Sequence, residues 1–263
     1  AVDGFNPSLN PLVKDNLHIL DRWIIAKTHV LLKDGQEYMD DFRVDKFMKS
    51  FEIFLEELSN WYVRRNRRRF WKSEDDQDKK SAYATLYHVL TNTIKSIAPV
   101  LPFISENIYQ NLVVNSEEKY SESVHLCDYP LSDDSWIDKD LILKVDALKK
   151  CVELGRSARS KSKIKIRQPL SKVSYAIEDN KVAKFFLDNK DIILDELNVK
   201  SVERITEAGQ LISYQIKPNL RTLGQKYGKG LSDIKIALNE LEPNSIVSKI
   251  QTENKLILLN KEK

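Results

Sequence analysis

Residues 60–71 read NWYVRRNRRRFW and concentrate the side chains best suited to chemistry in this chain. Five arginines fall within six residues: Arg64, Arg65, Arg67, Arg68 and Arg69. Guanidinium groups packed this closely repel one another, and phosphate groups relieve the repulsion through charge-assisted, bidentate hydrogen bonds. The pattern therefore predicts binding to a polyanion. Composition alone leaves open a solvated helix face whose arginines pair with nearby carboxylates.

Aromatic residues on both sides of the arginines favour a packed element over a disordered basic run. We expect Trp61, Tyr62 and Phe70 to anchor the segment to a core. Trp71 stands at the end of the run. It either packs against the core or offers a face on which an unpaired nucleic-acid base could stack.

A second basic segment covers residues 144–172, where ten lysines and arginines stand against Asp146 and Glu153. The chain has a net charge of only +3, so the remainder is acidic. Two basic segments on an acidic body are typical of polyanion binding. A solvated lysine-rich helix is an equal alternative for the second segment. Its candidate contacts are Arg156, Arg159, Lys163 and Arg167.

No pattern in the sequence predicts catalysis within these residues. The four histidines fall on different predicted elements without an adjacent nucleophile, and no phosphate-loop or dinucleotide glycine motif is present. Cys127 and Cys151 have no partner pattern, which predicts neither a disulfide nor a metal site and favours a reducing, cytosolic setting. We therefore expect no catalytic residue, metal ligand or cofactor in this part of the protein.

Apolar periodicity in the first half predicts a helical bundle. One helix covers about 17–33 and is expected to end at Gly35. Apolar residues three and four apart predict one continuous helix over 44–71, roughly 40 Å long. A third helix covers about 81–98, and Pro102 begins a fourth. Short links between four helices are typical of a bundle.

The spacing of apolar residues changes after a polar connector at 116–136. The second half predicts helices over 137–161, 182–197 and 231–241 and strands over 172–177, 199–205 and 211–216. The predicted fold is mainly α, a helical bundle followed by a smaller α+β module. The predicted domains are a connector at 1–16, the bundle at 17–135 and the module at 136–263. No apolar stretch approaches 18 residues, so no membrane span is expected.

Several longer motifs resemble one known family. LDRWII (20–25), LSNWYVRRNRRRFW (58–71) and IAPVLPFISENIYQNL (97–112) resemble the helical anticodon-binding domain of class I aminoacyl-tRNA synthetases. RRNRRRFW narrows the resemblance to isoleucyl-tRNA synthetases, and to their eukaryote-like branch. LGRSARSKSKIKIRQPL (154–170) and KPNLRTLGQKYGK (217–229) resemble segments that follow the bundle in that branch.

The resemblance implies a tRNA-binding portion of a larger, cytoplasmic and monomeric enzyme. Its partner would be the isoleucine tRNA, with no DNA or membrane involved. ATP and Mg²⁺ would serve a catalytic core that precedes the connector at 1–16. The five arginines would contact phosphates, and Trp71 is a candidate for reading bases. KFMKS (46–50) differs from the ATP-binding KMSKS signature of such enzymes and lies in the strongest helical pattern, so we reject it as an ATP site.

Two alternatives remain open at this stage. The same architecture occurs in valyl-, leucyl- and methionyl-type synthetases, although RRNRRRFW argues against them. A helical scaffold whose basic segments bind an acidic protein would also fit the charge pattern.

Overall fold

A computed structural model describes residues 5–15, 17–71, 77–115, 121–205 and 236 of the chain. Helices dominate these residues and a two-stranded sheet accompanies them, which confirms the predicted fold class. The chain divides into two compact units, residues 1–149 and 150–263. The sequence-based division after residue 135 stays a prediction. Within the described ranges, no helix combines the length and hydropathy needed to cross a membrane.

The first unit is built from helices joined by short links. They are α1 (Ile19–Asp40), α2 (Val44–Glu57), α3 (Arg64–Trp71), α4 (Gln77–Ile97) and α5 (Pro102–Tyr109), followed by the first half of α6 (Lys139–Lys161). Helix α1 packs against α2 and α4, α3 packs against α4, and α4 packs against α5. Pro102 stands at the first turn of α5, as predicted.

Helix α1 continues through Gly35 to Asp40, so the predicted end at Gly35 is wrong. Gly35 is buried, and a Cβ atom at this position would lie 2.7 Å from Cε2 of Phe47. The glycine therefore allows α2 to approach α1 closely and does not terminate the helix. The chain reverses after Asp40 instead, where Phe42 adopts a positive φ of 58°.

Gly35→Ala tests this close approach. Although alanine is the better helix former, we expect the variant to lose about 1–3 kcal/mol of unfolding free energy because the methyl group must displace the Phe47 ring. Urea denaturation followed by tryptophan fluorescence measures the loss. The exposed neighbour provides a matched control, since Gln36→Ala should change stability by less than about 0.5 kcal/mol. A stabilised Gly35→Ala variant would contradict the packing role.

The long helix predicted over 44–71 is confirmed in extent, with one feature that the sequence did not predict. A π-helical segment, Leu58–Val63, joins α2 to α3, and the Arg64 N–H bonds to the Ser59 carbonyl five residues back. Phe47 and Phe54 are buried before this segment, and Asn66 and Phe70 after it.

The wider π turn changes which face of α3 meets the core. An uninterrupted α-helix in phase with Phe47 would place Arg65 on the buried side, since 18 residues make five full turns. The extra residue in the π segment rotates the following turns, as π-bulges do. Asn66 and Phe70 consequently face inward, and the arginines are distributed around the other sides.

The second unit contains an α+β arrangement. Strands β1 (Leu170–Ala176) and β2 (Val199–Ile205) pair in parallel, from Leu170 opposite Val199 to Ala176 opposite Ile205. Helices α7 (Asn180–Asp188) and α8 (Lys190–Leu197) form the crossover that a parallel pair requires. The predicted single helix over 182–197 is therefore two helices, which meet at Asn189.

Two predictions fall largely outside the described residues. The strand expected over 211–216 and the helix expected over 231–241 lie there, apart from Ile236, which is helical.

Candidate nucleic-acid interface

Helix α3 brings the five arginines together on two turns but places them at different depths. Arg64, Arg67 and Arg68 are exposed, and Arg65 is half-buried. Arg69 is the deepest, with only 12% of its side chain exposed. Three of the arginines therefore face solvent, while Arg65 and Arg69 lie closer to the protein interior.

Arg69 is held by two carboxylates. Its Nη1 and Nη2 donate to the two carboxylate oxygens of Asp21 at 2.8 Å each, and its Nε donates to Asp78 Oδ2 at 2.9 Å. Nη2 also bonds to Asp78 Oδ1 at 2.6 Å. Burial alone would lower the Arg69 pKa, but the bonds to Asp21 and Asp78 outweigh it and raise the pKa above its ordinary value. This guanidinium joins α3 to α1 and α4.

The aromatic residues around the arginines divide into anchors and one exposed ring. Tyr62 is fully buried and donates its hydroxyl to Asp21 Oδ1 at 2.7 Å. Burial and the charge of Asp21 raise the Tyr62 pKa well above its usual value. Phe70 packs edge-on against Tyr62, and its carbonyl accepts a 3.1 Å bond from the Tyr83 hydroxyl. Trp61 is half-buried.

Trp71 differs from the other aromatic residues because 69% of it is exposed. The Arg67 guanidinium lies over the indole, with its carbon 3.9 Å from the ring centroid. Such a cation–π contact restrains both side chains while both remain open to solvent. Nearby, Arg64 Nε donates to the Asn60 carbonyl at 2.8 Å, which fixes that side chain along the helix.

Part of the second basic segment is neutralised within the first unit. Lys149 pairs with Glu57, which is buried and also forms an ion pair with Lys27 at 2.9 Å. The Lys149 ammonium lies 5.3 Å from the Trp23 ring centroid and 6.0 Å from that of Trp61. Lys149 therefore has a structural role in this cluster.

The four candidates in the second unit also separate by depth. Arg159 is buried, and its guanidinium donates to four backbone carbonyls. Arg156 is exposed and pairs with the buried carboxylate of Glu196. Lys163 and Arg167 are exposed in the turn that follows α6. The structure thus gives Arg159 four carbonyl partners, and Arg69 the distant carboxylate of Asp21, that their sequence context did not reveal. The bonds from Arg69 to Asp78, nine residues away, are the pairing with a nearby carboxylate that composition left open.

A histidine pair is a feature that the sequence analysis missed. His29 and His88 are brought together with their Nε2 atoms 3.3 Å apart. His29 Nδ1 accepts the Asp133 N–H at 3.1 Å, so its proton lies on Nε2 and points at His88. Burial lowers the pKa of both rings, that of His88 to about 4, so the pair is neutral at neutral pH. Spacing along the chain could not reveal a contact between residues 59 apart.

The structure bears on two features of the described residues, the KFMKS segment and the grouping of possible metal ligands. The KFMKS segment lies inside α2 with Phe47 fully buried, so it cannot serve as a phosphate-binding loop. In the ranges that the structure describes, no three His, Cys, Asp or Glu side chains are grouped to hold a metal ion.

Comparisons with known proteins point to one family. A family model for the anticodon-binding domain of tRNA ligase matches residues 21–174. An isoleucine–tRNA ligase of Clostridium novyi (strain NT) is 41% identical over 260 residues, which make up 98% of this chain and 24% of that protein. The isoleucine–tRNA ligase of Clostridium tetani (strain Massachusetts / E88) is 40% identical over 258 residues, 98% of this chain and 24% of the relative.

A third relative, from another genus, agrees with these two. The isoleucine–tRNA ligase of Cutibacterium acnes (strain DSM 16379 / KPA171202) is 40% identical over 233 residues, 89% of this chain and 20% of the relative. The chain spans about a quarter of the length of the curated relatives it matches. These relatives are bacterial and do not support the eukaryote-like branch expected from the sequence.

Proposed function

Because the chain belongs to the family of anticodon-binding domains of tRNA ligases, we propose that it is the tRNA-binding part of an isoleucine–tRNA ligase. In this role it positions the isoleucine tRNA for ATP-dependent aminoacylation at a catalytic site outside these residues. The names of the similar proteins support the amino-acid assignment. ATP and Mg²⁺ belong to the whole enzyme in this proposal, which acts in the cytoplasm as a monomer.

The observation that carries the proposal is an exposed basic face on a helix that is fixed to its neighbours. Arg64, Arg67 and Arg68 are exposed on α3, while Arg69 and Tyr62 bind the same buried carboxylate of Asp21. A rigid helix presents its guanidinium groups at a set spacing, so less conformational entropy is lost when phosphates bind. Phosphate contacts of this kind position an RNA but do not select its sequence.

The proposed contacts differ from the initial set of five arginines. Arg67 and Arg68 are the principal phosphate ligands, with Arg64 beside them and half-buried Arg65 at the margin. Arg69 is left out because all three of its nitrogens bond to side chains of the protein.

Trp71 supplies the one large exposed aromatic surface on α3. Single-stranded RNA loops are recognised by stacking of unpaired bases on aromatic rings. Arg67 restrains the indole at one face. We propose that Trp71 stacks on an unpaired base, while Arg156, Lys163 and Arg167 of the second unit contact the RNA backbone.

Paired substitutions test the proposed interface. We expect Arg67→Gln/Arg68→Gln to raise the Kd for the isoleucine tRNA at least about tenfold, since a hydrogen bond to a charged group contributes roughly 1.5–3 kcal/mol. Arg22→Gln/Arg43→Gln is a matched control, because both arginines are exposed on the same unit and pair with aspartates. Filter binding of purified chains measures both constants.

The control separates a specific surface from general charge. Both variants lose two positive charges, so an equal loss of affinity would contradict the α3 interface.

Competition with a noncognate tRNA tests the isoleucine assignment. Equal competition by the noncognate tRNA would overturn recognition of isoleucine tRNA by this part of the enzyme.

A further inference from the structure

The last residue of α6 and the turn that follows it carry a dense group of exposed cations. Lys161, Lys163, Lys165 and Arg167 are all exposed, and the sequence contains no Asp or Glu between Glu153 and Glu178. Lys163 adopts a positive φ of 57°, a conformation that lysine rarely takes. A strained backbone at an exposed basic turn requires support from the surrounding structure.

The buried side chain of Arg159 provides this support. Arg159 is only 6% exposed, and its Nη1 donates to the carbonyls of Lys165 at 3.2 Å and Gln168 at 3.0 Å. Its Nη2 donates to the carbonyls of Leu197 at 2.6 Å and Asn198 at 3.1 Å. One guanidinium therefore ties both sides of the basic turn to the point where α8 passes into β2.

Two further contacts hold the same turn. The Asn198 side chain donates from Nδ2 to the Ile166 carbonyl at 3.0 Å. Ile164 lines an apolar cavity of about 180 Å³ together with Leu170 and Leu197. The Ile164 side chain and the Ile166 carbonyl thus hold the backbone of the turn, while the neighbouring cations remain exposed.

The bonding of Arg159 is suited to holding a backbone. Its bonds all run to carbonyl oxygens, and among the described residues no carboxylate is hydrogen-bonded to it. A planar guanidinium can bridge carbonyls in two directions, whereas a lysine ammonium is a compact point charge on a flexible stem. Both terminal nitrogens of this buried cation already donate to two carbonyls each, so they are not available to bond to a phosphate.

We propose that Arg159 is a positioning residue that fixes residues 162–168, so that Lys163, Lys165 and Arg167 form a preset edge for RNA phosphates. The inference rests on the proposed function, because it assumes that the chain binds tRNA. It changes the role of Arg159 from a contact to a support and adds Lys165 to the surface. A loose turn would have to be ordered on binding, at about 0.5–1.5 kcal/mol for each long side chain immobilised.

Arg159→Lys is the sharpest variant because it keeps the charge and removes the planar fork. We expect it to raise the Kd for the isoleucine tRNA about tenfold, which matches the ordering of two or three side chains. Replacing Lys163, Lys165 and Arg167 by glutamine, all at exposed positions, should raise the Kd at least as much. A variant that combines all four changes should bind no more weakly than the triple variant.

The combination distinguishes positioning from a general loss of stability. If Arg159 acts only by positioning the three cations, its substitution should not raise the Kd further once those cations are gone. If Arg159 and the cations act independently, the increases in Kd of the separate variants should multiply in the combined variant. Hydrogen exchange at residues 162–168 should accelerate in Arg159→Lys. If that variant does not fold, Asn198→Gly serves in its place, because Asn198 has a left-handed backbone with φ 47° that glycine adopts without strain. This change removes only the side-chain bond to the Ile166 carbonyl and should weaken binding in the same direction.

The outcomes separate this inference from the proposed function. Unchanged affinity in Arg159→Lys, or multiplying losses in the combined variant, would overturn the positioning role. The proposed function would stand in that case if Arg67→Gln/Arg68→Gln still lost affinity. Failure of the wild-type chain to bind tRNA would overturn both.

Discussion

Asp21→Ala is expected to lower the unfolding free energy of the first unit by about 3–5 kcal/mol, as removal of one partner from a buried ion pair does. The Asp21 side chain is fully buried and accepts bonds from both terminal nitrogens of Arg69 and from the Tyr62 hydroxyl. Its removal leaves a largely buried guanidinium and a buried phenol without these bonds. Urea denaturation followed by tryptophan fluorescence measures the change.

Tryptophan fluorescence reports specifically on the unfolding of the first unit. All four tryptophans, at positions 23, 61, 71 and 136, belong to the first unit. Asp134→Ala is the matched control, since this exposed carboxylate pairs with the exposed Lys33 at 2.9 Å. Exposed pairs contribute about 1 kcal/mol or less. Equal losses of unfolding free energy in the two variants would contradict the proposal that Asp21 stabilises the first unit through Arg69 and Tyr62.

Glu57→Ala should have the second-largest effect. Glu57 is buried and bonds to Lys27 and Lys149, whose side chains are themselves mostly buried. Without the carboxylate, two mostly buried ammonium groups lose the negative charge they share, at an expected loss of about 3–5 kcal/mol. The same denaturation experiment measures it, with a large change in fluorescence expected because Lys149 lies over the Trp23 ring.

A control at the surface accompanies this variant. Asp45→Ala removes an exposed carboxylate that pairs with Arg43 at 3.0 Å, and it should cost about 1 kcal/mol or less. A Glu57→Ala chain as stable as Asp45→Ala would show that the two lysines do not depend on Glu57.

The sequence predicts the elements of this fold better than their interruptions. The helix over 44–71 follows from apolar residues three and four apart, because this spacing places them on one face. The π segment, Leu58–Val63, leaves no such signal, since it adds one residue to the turn without a change of residue type. Gly35 does not end α1 as predicted, because a glycine that makes room for a neighbouring ring looks the same in sequence as one that ends a helix.

The candidate site shows the same limit for single side chains. Five neighbouring arginines are equivalent in composition, yet Arg69 is buried because Asp21, 48 residues earlier, and Asp78 both reach it. Arg159 is likewise satisfied by carbonyls at Leu197 and Asn198, 38 and 39 residues later. The spacing of residues within a helix shows which of them share a face. It does not show which residues from distant parts of the chain contact that face.

The salt dependence of tRNA binding tests the central claim most directly. The Kd of the wild-type chain for the isoleucine tRNA should rise linearly with salt on logarithmic axes between about 50 and 200 mM. Loss of two phosphate contacts in Arg67→Gln/Arg68→Gln should reduce the slope by about 1.4–1.8, while Arg22→Gln/Arg43→Gln should keep the wild-type slope. A wild-type affinity that does not change with salt, or equal slopes for all three chains, would contradict phosphate binding by α3.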